Sequence, residues 1–201
     1  MAEGAFDLRE RRRTRTRLAI QAEAFRLFAD QGYSETTVEQ IADAAAISPR
    51  TFFRYFPTKE DVVMWDEYDP LVFDLFVARP KGETPFESLR AVIVTALHGL
   101  YERDPQLLLT RIRLFATVPE LRARFLDLQA QGADEVARIF AERRGLKSRQ
   151  DELELRVLSG AMNAAVSVAL QRWERGGGKK DPSAFVGEAI DALADAVRRR
   201  R

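Results

Sequence analysis

Two short helix patterns lie about four residues apart near the N-terminus, and few folds accommodate that spacing. Thr36 followed by Glu39 predicts a capping-box start for the first helix, which runs for about two turns. Ser48 and Pro49 predict the start of the second, because serine caps helices and proline is tolerated at the first helical position. Pro57 ends it, since the residue before a proline is pushed out of the helical region. This pattern predicts a helix-turn-helix, in which the second helix enters the DNA major groove.

The second of these helices combines an apolar face with a basic one. On the 3.6-residue period Phe52 and Phe56 share a face that can pack on the preceding helix. The residues that point elsewhere are Arg50, Thr51, Arg54 and Tyr55. Arginine can make a bidentate contact to guanine, so we expect Arg54 to read a base. Phe53 fits either the core or an apolar contact with a thymine methyl group, and the sequence leaves both open.

Basic residues are concentrated in two segments, although the formal net charge is only +1. Six arginines fall between positions 9 and 17, opposed only by Glu10, and residues 48–59 contain no acidic side chain. We expect the first segment, a basic N-terminal tail, to lie along or enter the minor groove. A solvated tail without DNA contact is the alternative. The starts of the helices near Thr37 and Lys59 are expected to anchor phosphates.

The composition excludes several classes of protein. The 201 residues are 46% hydrophobic and 31% charged, as in soluble globular proteins. No cysteine and only one histidine, His98, are present, so we predict no metal site and no cofactor. No catalytic constellation has an interpretable spacing, and an enzyme is not expected. No window approaches roughly 18 to 20 uninterrupted apolar residues, the length that spans a bilayer, and we expect a cytoplasmic protein without membrane contact.

The rest of the chain predicts further helices and no strand. The first helix is expected from about Glu10 to Gln31, and the fourth from Lys59 to about Ala78, disturbed near Pro70. Five more follow, with breaks at 80–84, 104–105, 118–119, 145–148 and 176–178. The glycine run at 176–178 predicts a flexible connection. The fold class is therefore all-α with about nine helices, divided into a helix-turn-helix domain at 1–58 and a helical ligand-binding and dimerisation domain at 59–201.

Apolar stripes on the last two predicted helices indicate a homodimer. Their members are Leu155, Leu158, Met162 and Ala165, followed by Val186, Ile190, Leu193 and Val197. The second set repeats at 4-3-4 spacing, which is typical of a seam that needs a partner surface. The alternative is that both stripes are buried against the body of the same chain.

The stretch GYSETTVEQIADAAAISPRTFFRYFPTKEDV, residues 32–62, resembles the motif of the TetR-type regulators. The resemblance rests on the paired Thr36 and Thr37, on Ile41-Ala42, and on the ending from Tyr55 to Glu60. It implies that the last two helices pair two subunits and that the body encloses an inducer pocket. Ala46 stands where the family usually has glycine, and Phe53 where tyrosine is frequent. From the pattern and the resemblance together, the predicted DNA-contacting residues are Arg13, Arg17, Thr37, Ser48, Pro49, Arg50, Thr51, Phe53, Arg54, Tyr55 and Lys59.

An apolar pocket is expected in the body. Its predicted lining is Phe73, Phe76, Ile93, Leu97, Arg111, Phe115, Phe125, Met162, Asn163 and Trp173. The segment TRIRLFATVPELRARF is similar to regulators of the mycofactocin type, which implies an acyl-CoA or another lipophilic ligand. Multidrug-like compounds, antibiotics and a pathway metabolite remain alternatives.

These features predict a dimeric regulator, most simply a repressor, that binds palindromic operators and is released by a small molecule. Activation is the alternative regulatory outcome. The rival class is a DNA-packaging protein without a ligand, which would not need so large a body.

Overall fold

In a computed structural model, the described residues are 2–65, 74–80, 82–144 and 149–198. Within those ranges the chain forms nine helices and a helical segment at 74–77, with no strand, as the all-α prediction requires. The chain divides into two units, Met1–Glu67 and Tyr68–Arg201. The first unit therefore includes the helix that follows Pro57, which the sequence-based boundary at 58/59 assigns to the body.

Four helices build the first unit around one small core. They are α1 Ala2–Gln31, α2 Val38–Ala44, α3 Pro49–Tyr55 and α4 Lys59–Met64. All four contribute buried apolar side chains, namely Ile20, Ala24, Phe25, Phe28, Ile41, Ala42, Phe52, Phe56, Val62 and Val63. Burial of these side chains is the main force that holds three short helices, each below the length at which an isolated helix is stable.

The arginine run belongs to α1 and is not a tail. The helix continues from Ala2 to Gln31 without a break, whereas the sequence predicts a start near Glu10. Arginine is a good helix former, and no proline interrupts this stretch. Gly32, with φ of 91°, ends the helix where expected.

The start of α2 lies one residue later than predicted. Thr37, not Thr36, is the cap: the Gln40 amide donates to Thr37 Oγ1 at 3.2 Å, and the Thr37 amide donates to Gln40 Oε1 at 2.8 Å. Thr36 is buried instead, and its hydroxyl donates to the Gly32 carbonyl at 2.7 Å. Both threonines have a capping partner three residues on, so the sequence alone does not separate them.

The predicted fourth helix is wrong in its length. It ends at Met64, and Trp65 has an extended backbone at φ −66° and ψ 131°. Gln21 explains the end: its buried side chain donates from Nε2 to the carbonyls of Val62 and Trp65, both at 2.8 Å. These bonds satisfy helix-end carbonyls that a longer helix would have paired internally. The disturbance predicted near Pro70 lies outside the described residues.

Five helices form the second unit. They are α5 Pro85–Arg103, α6 Pro105–Thr117, α7 Pro119–Arg144, α8 Arg149–Arg175 and α9 Pro182–Arg198. Four of the five begin at a proline, whose fixed φ suits the first helical position. Helix α8 is central and packs against α5, α6, α7 and α9. The predicted break at 145–148 lies outside the described residues.

The turn between α8 and α9 is held by several contacts, in contrast to the flexible connection predicted from its glycines. The Gly178 amide donates to the Trp173 carbonyl at 3.1 Å, and the Trp173 indole donates to the Lys180 carbonyl. From α5, the Tyr101 hydroxyl donates to the Lys179 carbonyl at 3.0 Å. Gly178 has φ of 67° and leaves no room for a Cβ, which would lie 2.7 Å from Leu109. The glycines therefore shape a tight turn.

Candidate nucleic-acid interface

The turn between α2 and α3 is a Schellman motif with alanine in the left-handed position. The Ile47 amide donates to the Ala42 carbonyl at 2.9 Å, and the Ala46 amide to the Asp43 carbonyl at 3.0 Å. Ala46 has φ of 52°, a region that glycine adopts without penalty. The departure from the family pattern noted in the sequence therefore falls on the one described non-glycine residue with positive φ.

Helix α3 presents its faces as the period predicts. Phe52 and Phe56 are 0% and 2% exposed and pack into the core of the first unit. Arg50 and Arg54 are exposed on the opposite side, and Phe53 is 50% exposed. The buried phenylalanines fix the helix, so that its basic side is directed away from the core.

The two ends of α3 are organised by short-range contacts. The Thr51 amide donates to Ser48 Oγ at 3.1 Å, and the two hydroxyl groups are 3.0 Å apart. At the other end, the Arg54 guanidinium lies 5.2 Å from the centre of the Tyr55 ring. The hydroxyl of Ser48 is thus used as a helix cap, and Arg54 is oriented by a cation–π contact.

Lys59 is tied to the loop before α2. Its Nζ donates to the carbonyls of Tyr33 at 2.8 Å and Thr36 at 3.0 Å, and lies 4.0 Å from the centre of the Tyr33 ring. Burial lowers the pKa of Lys59, and the Glu60 carboxylate raises it by less. The Tyr33 hydroxyl donates to Glu60 Oε1 at 2.9 Å. Two of the three ammonium hydrogens therefore serve the fold, and the ammonium also contacts the Tyr33 ring.

Arg17 also packs within the first unit. Its guanidinium lies 6.0 Å from the ring centre of Phe56 and 5.5 Å from that of Trp65. Burial, followed by the neighbouring Arg13, lowers the pKa of this group. Arg13 itself is exposed one turn earlier on α1. Of the two α1 arginines predicted to contact DNA, Arg13 is the more accessible.

Sequence reasoning missed Gln21 and Gln31. Gln31 Nε2 donates to Thr36 Oγ1 at 3.2 Å and to Gln40 Oε1 at 3.0 Å, and so connects α1 to the cap of α2. Gln21 joins α1 to the carbonyls of Val62 and Trp65, which lie 41 and 44 positions further along the chain. The sequence offers one signal for Gln21, which is a polar residue on an otherwise apolar helix face. That signal does not indicate which groups the side chain binds.

In the second unit, a cleft of about 140 Å³ lies between α6, α7 and α8. Its lining is Ile112, Phe115, Ala116, Arg122, Phe125, Leu126, Ser167, Leu170 and Gln171. The rings of Phe115 and Phe125 stack at 4.3 Å. Arg122 donates from Nε to the Phe115 carbonyl at 3.3 Å, and its Nη2 donates to the Ala116 carbonyl. Apolar side chains thus form most of the wall. The one cation in the lining, Arg122 of α7, binds carbonyls near the end of α6.

Only two of the predicted pocket residues, Phe115 and Phe125, line this cleft. Phe76, Arg111, Met162 and Trp173 are buried in the unit, and Ile93 and Leu97 are partly buried against its core. Asn163 Nδ2 donates to the Gln129 carbonyl at 3.4 Å. Phe73 lies outside the described residues.

The residues predicted for the dimer interface are mostly turned inward. Leu155, Met162, Val186 and Ile190 are buried, and Leu158, Ala165 and Leu193 are partly buried against the same core. The side chain of Val197 lies outside the described part of the structure. Burial within one chain accounts for the four buried positions, while the three partly buried ones keep some accessible surface.

Two family models match the chain. Residues 20–64 match the bacterial regulatory proteins of the TetR family, and residues 83–198 match the MftR C-terminal domain. The chain belongs to the TetR family of transcriptional regulators. The first match covers α2, the turn, α3 and α4, and the second covers all five helices of the body, so both resemblances found in the sequence are confirmed.

Known relatives agree with this assignment. The chain is 35% identical to the regulator TcmR of Streptomyces glaucescens over 173 residues, which are 83% of this chain and 76% of TcmR. It is 29% identical to the mycofactocin biosynthesis regulator MftR of Mycobacterium tuberculosis, over 93% and 91% of the two chains. Among solved structures it is similar to Thermus thermophilus FadR, a TetR-family repressor in complex with lauroyl-CoA, with a TM-score of 0.54, 27% identity, and coverage of 89% and 93%.

Proposed function

We propose that this TetR-family regulator is a cytoplasmic repressor that binds a palindromic operator as a homodimer and is released by an apolar small molecule. The observation that carries the DNA-binding part is the placement of α3. Its two buried phenylalanines anchor it in the core, while Arg50 and Arg54 are exposed on the other side. An arginine-bearing helix held in this way can enter a major groove and contact guanine.

The contacts to DNA are proposed to divide by role. Arg50 and Arg54 read bases, while Thr37, Ser48, Pro49, Thr51 and Tyr55 position the helix against the backbone. All five are exposed or half-buried. Lys59 adds one phosphate contact, and Arg13 adds another from α1. Arg17, which packs on Phe56 and Trp65, supports the domain and does not contact DNA directly.

Dimerisation is proposed to use the outer face of α8. Leu153, Val157 and Val168 are 54%, 62% and 65% exposed, and exposed Gly160 and Ala164 lie between them on the same stripe. Small residues let two helices approach closely, and the large ones supply apolar area. This stripe lies on the other side of α8 from the one predicted from the sequence, which packs in the core of a single chain.

The same stripe accounts for the high hydropathy of α8. Glu152–Arg175 contains an 18-residue window with a mean hydropathy of 1.3, which by length and composition alone is apolar enough to cross a bilayer. However, Leu155, Met162 and Trp173 of this helix are buried in the unit. One apolar face toward the core and one toward a second subunit explain its composition without a membrane.

The ligand is proposed to enter the cleft between α6, α7 and α8. Its walls are mainly apolar, and the similar FadR structure holds lauroyl-CoA. The cleft volume of about 140 Å³ is below the roughly 300 Å³ of small ligand pockets, so a long acyl chain requires the cleft to widen. Release from DNA follows if the ligand binds better to a second conformation of the body. In that conformation the spacing of the two α3 helices does not match the spacing of the operator half-sites.

The decisive experiment is selection from a random duplex library with the purified protein near physiological salt. These conditions weaken non-specific phosphate binding and leave specific sites. We expect a palindrome whose half-sites lie about one DNA turn, or a multiple, apart. Recovery of no motif would contradict the proposal and indicate a non-specific DNA-binding protein.

The recovered operator then tests the ligand. Acyl-CoA thioesters of increasing chain length are added to the complex, with free coenzyme A as the control. We expect release to strengthen with chain length and to be absent for coenzyme A. Release by coenzyme A alone, or no release by any acyl chain, would contradict an acyl-CoA inducer.

A further inference from the structure

Phe53 is an exposed aromatic residue on the basic side of α3. Its side chain is 50% exposed, whereas its neighbour Phe52 and the next phenylalanine, Phe56, are 0% and 2% exposed. The sequence leaves open whether Phe53 completes the core or faces outward. Because half of the ring surface lies in solvent, the core of the first unit does not require all of it.

The position of Phe53 on the helix places it among the arginines. Arg50 precedes it by three residues and Arg54 follows it by one, so the three side chains lie on neighbouring parts of one exposed surface. Phe53 therefore enters the same groove as the two arginines when α3 binds DNA.

The ring of Phe53 is held in a defined orientation. It contacts the ring of Phe52 in a T-shaped arrangement, with centroids 5.5 Å apart and planes at 88°. Since Phe52 is fully buried, this contact restricts the motion of the exposed ring. A restricted apolar surface loses little conformational entropy on binding.

The chemistry of the side chain limits what it can recognise. Phenylalanine has no polar atom and cannot donate to a phosphate, as tyrosine at the same position could. The major groove offers one apolar group on the base edges, the C5 methyl of thymine. An apolar ring beside two side chains that are proposed to read guanine fits that group.

We propose that Phe53 reads the C5 methyl group of a thymine in each operator half-site. The inference rests on the proposed DNA-binding function and adds a base preference to it. It places a thymine next to the base pairs that Arg50 and Arg54 contact.

The test replaces each thymine of the selected operator in turn by deoxyuridine, which removes only the methyl group. Affinity is measured for the wild-type protein and for Phe53→Ala. At one position per half-site we expect about a fourfold loss of wild-type affinity per methyl, the value of one buried methyl group. In Phe53→Ala the same replacement should have no effect, because the contact is already absent.

Two variants control the experiment. Arg54→Ala should retain the full deoxyuridine effect, since it leaves Phe53 in place. Phe53→Leu keeps an apolar side chain and should retain part of the effect, which provides a second reading if Phe53→Ala loses stability. The wild-type scan needs no variant at all.

The proposal would be overturned by a wild-type scan without any sensitive position, by an operator without thymine beside the arginine-contacted bases, or by a deoxyuridine effect that persists in Phe53→Ala. Each of these leaves specific operator binding intact. Failure to select any operator would instead refute the proposed function itself, and the two failures are thereby distinguished.

Discussion

Ala46 adopts a backbone conformation that is unfavourable for a residue with a Cβ atom. The Schellman turn requires a left-handed conformation at this position, and Ala46 adopts it with φ of 52°. A non-glycine residue loses about 1 to 2 kcal/mol there, because its Cβ approaches the following carbonyl. The turn is maintained by the hydrogen bonds of Ile47 and Ala46 to the end of α2 and by the packing of Phe52.

We therefore predict that Ala46→Gly stabilises the first unit by roughly 0.5 to 1 kcal/mol, after the greater flexibility of unfolded glycine is subtracted. Hydrogen exchange of the amides in 38–55 measures the change. The matched control is Ala44→Gly, at the last residue of α2, which should destabilise by up to about 1 kcal/mol. Slower exchange in the control, or faster exchange in Ala46→Gly, would contradict the prediction.

Lys59 joins two parts of the first unit through its ammonium group. Replacement by methionine keeps the aliphatic stem but leaves the carbonyls of Tyr33 and Thr36 without this donor. We predict a loss of about 1 to 2 kcal/mol in unfolding free energy, as for hydrogen bonds from a charged group. Chemical denaturation measures it. Lys179→Met, the same change at an exposed residue of the second unit, should change stability by less than about 0.5 kcal/mol.

DNA binding separates the two roles of Lys59. Loss of a phosphate contact reduces the slope of log affinity against log salt concentration by about one. It lowers the affinity for all duplexes by the same factor. If Lys59→Met lowers stability but leaves the salt slope unchanged, the residue acts only through the fold. If stability is unchanged, the structural role assigned here is wrong.

At the level of helices, ionic contacts connect α5 to α9 and to the turn before it. Arg90 donates to Asp191 from Nε at 2.7 Å and from Nη2 at 2.6 Å. His98 Nδ1 lies 2.5 Å from Asp181 Oδ2, and Asp181 Oδ1 accepts from the Ser183 amide at 2.8 Å. Of these contacts, only the one between His98 and Asp181 contains a group that titrates near neutral pH, the His98 imidazole.

The pH dependence of the second unit follows from this pair. The hydrogen bond to Asp181 raises the pKa of His98 above its ordinary 6.5, and the charges of Asp181 and Glu102 add to the effect. Burial raises the pKa of Asp181, but hydrogen bonds from His98 and Ser183 lower it below its ordinary 3.8. The His98 contribution to stability is complete below pH 6.5 and is lost as pH rises through the raised pKa. The Asp181 contribution is complete above pH 3.8 and is lost at lower pH.

We predict that His98→Ala destabilises the second unit most between about pH 4 and 6, and that the difference from wild type disappears at alkaline pH. Thermal denaturation across this range measures it. Thr95→Ala, at an exposed position three residues earlier on α5, is the control and should show no pH-dependent difference. A His98→Ala effect that stays constant from pH 5 to 9 would show that the pair does not titrate as described.

The sequence predicts elements well where the determinant is local. Ser48, Pro49 and Pro57 define α3 within one residue, because capping and proline geometry act over three or four positions. The length of α4 could not be predicted, since Gln21, which binds its last carbonyls, is more than forty residues away. Residues such as these are recognised only once the fold brings them together.

The two faces of α8 show a different limit of sequence reasoning. Leu155 and Met162 face the core, while Val157 and Val168 face solvent, yet all are apolar. A helix with apolar residues on both sides has no single stripe from which its buried face can be read. The sequence therefore indicates that α8 has two apolar surfaces. It does not indicate which of them packs against the core of the same chain.

For the whole molecule, we propose that the outer stripe of α8, formed by Leu153, Val157, Gly160, Ala164 and Val168, is the dimer interface. We predict that Val157→Asp raises the dissociation constant of the dimer at least tenfold, or roughly 1.4 kcal/mol, because it places a carboxylate in an apolar interface. The fold should be retained, since Val157 is 62% exposed in one chain. Sedimentation equilibrium measures the dimer, and affinity for the full palindrome should fall with it while half-site binding is unchanged. Leu128→Asp, at an apolar residue of α7 that is 43% exposed, is the matched control and should remain dimeric. If Val157→Asp is as dimeric as wild type, the two subunits pair through another surface, and the spacing of the recognition helices must be explained from there.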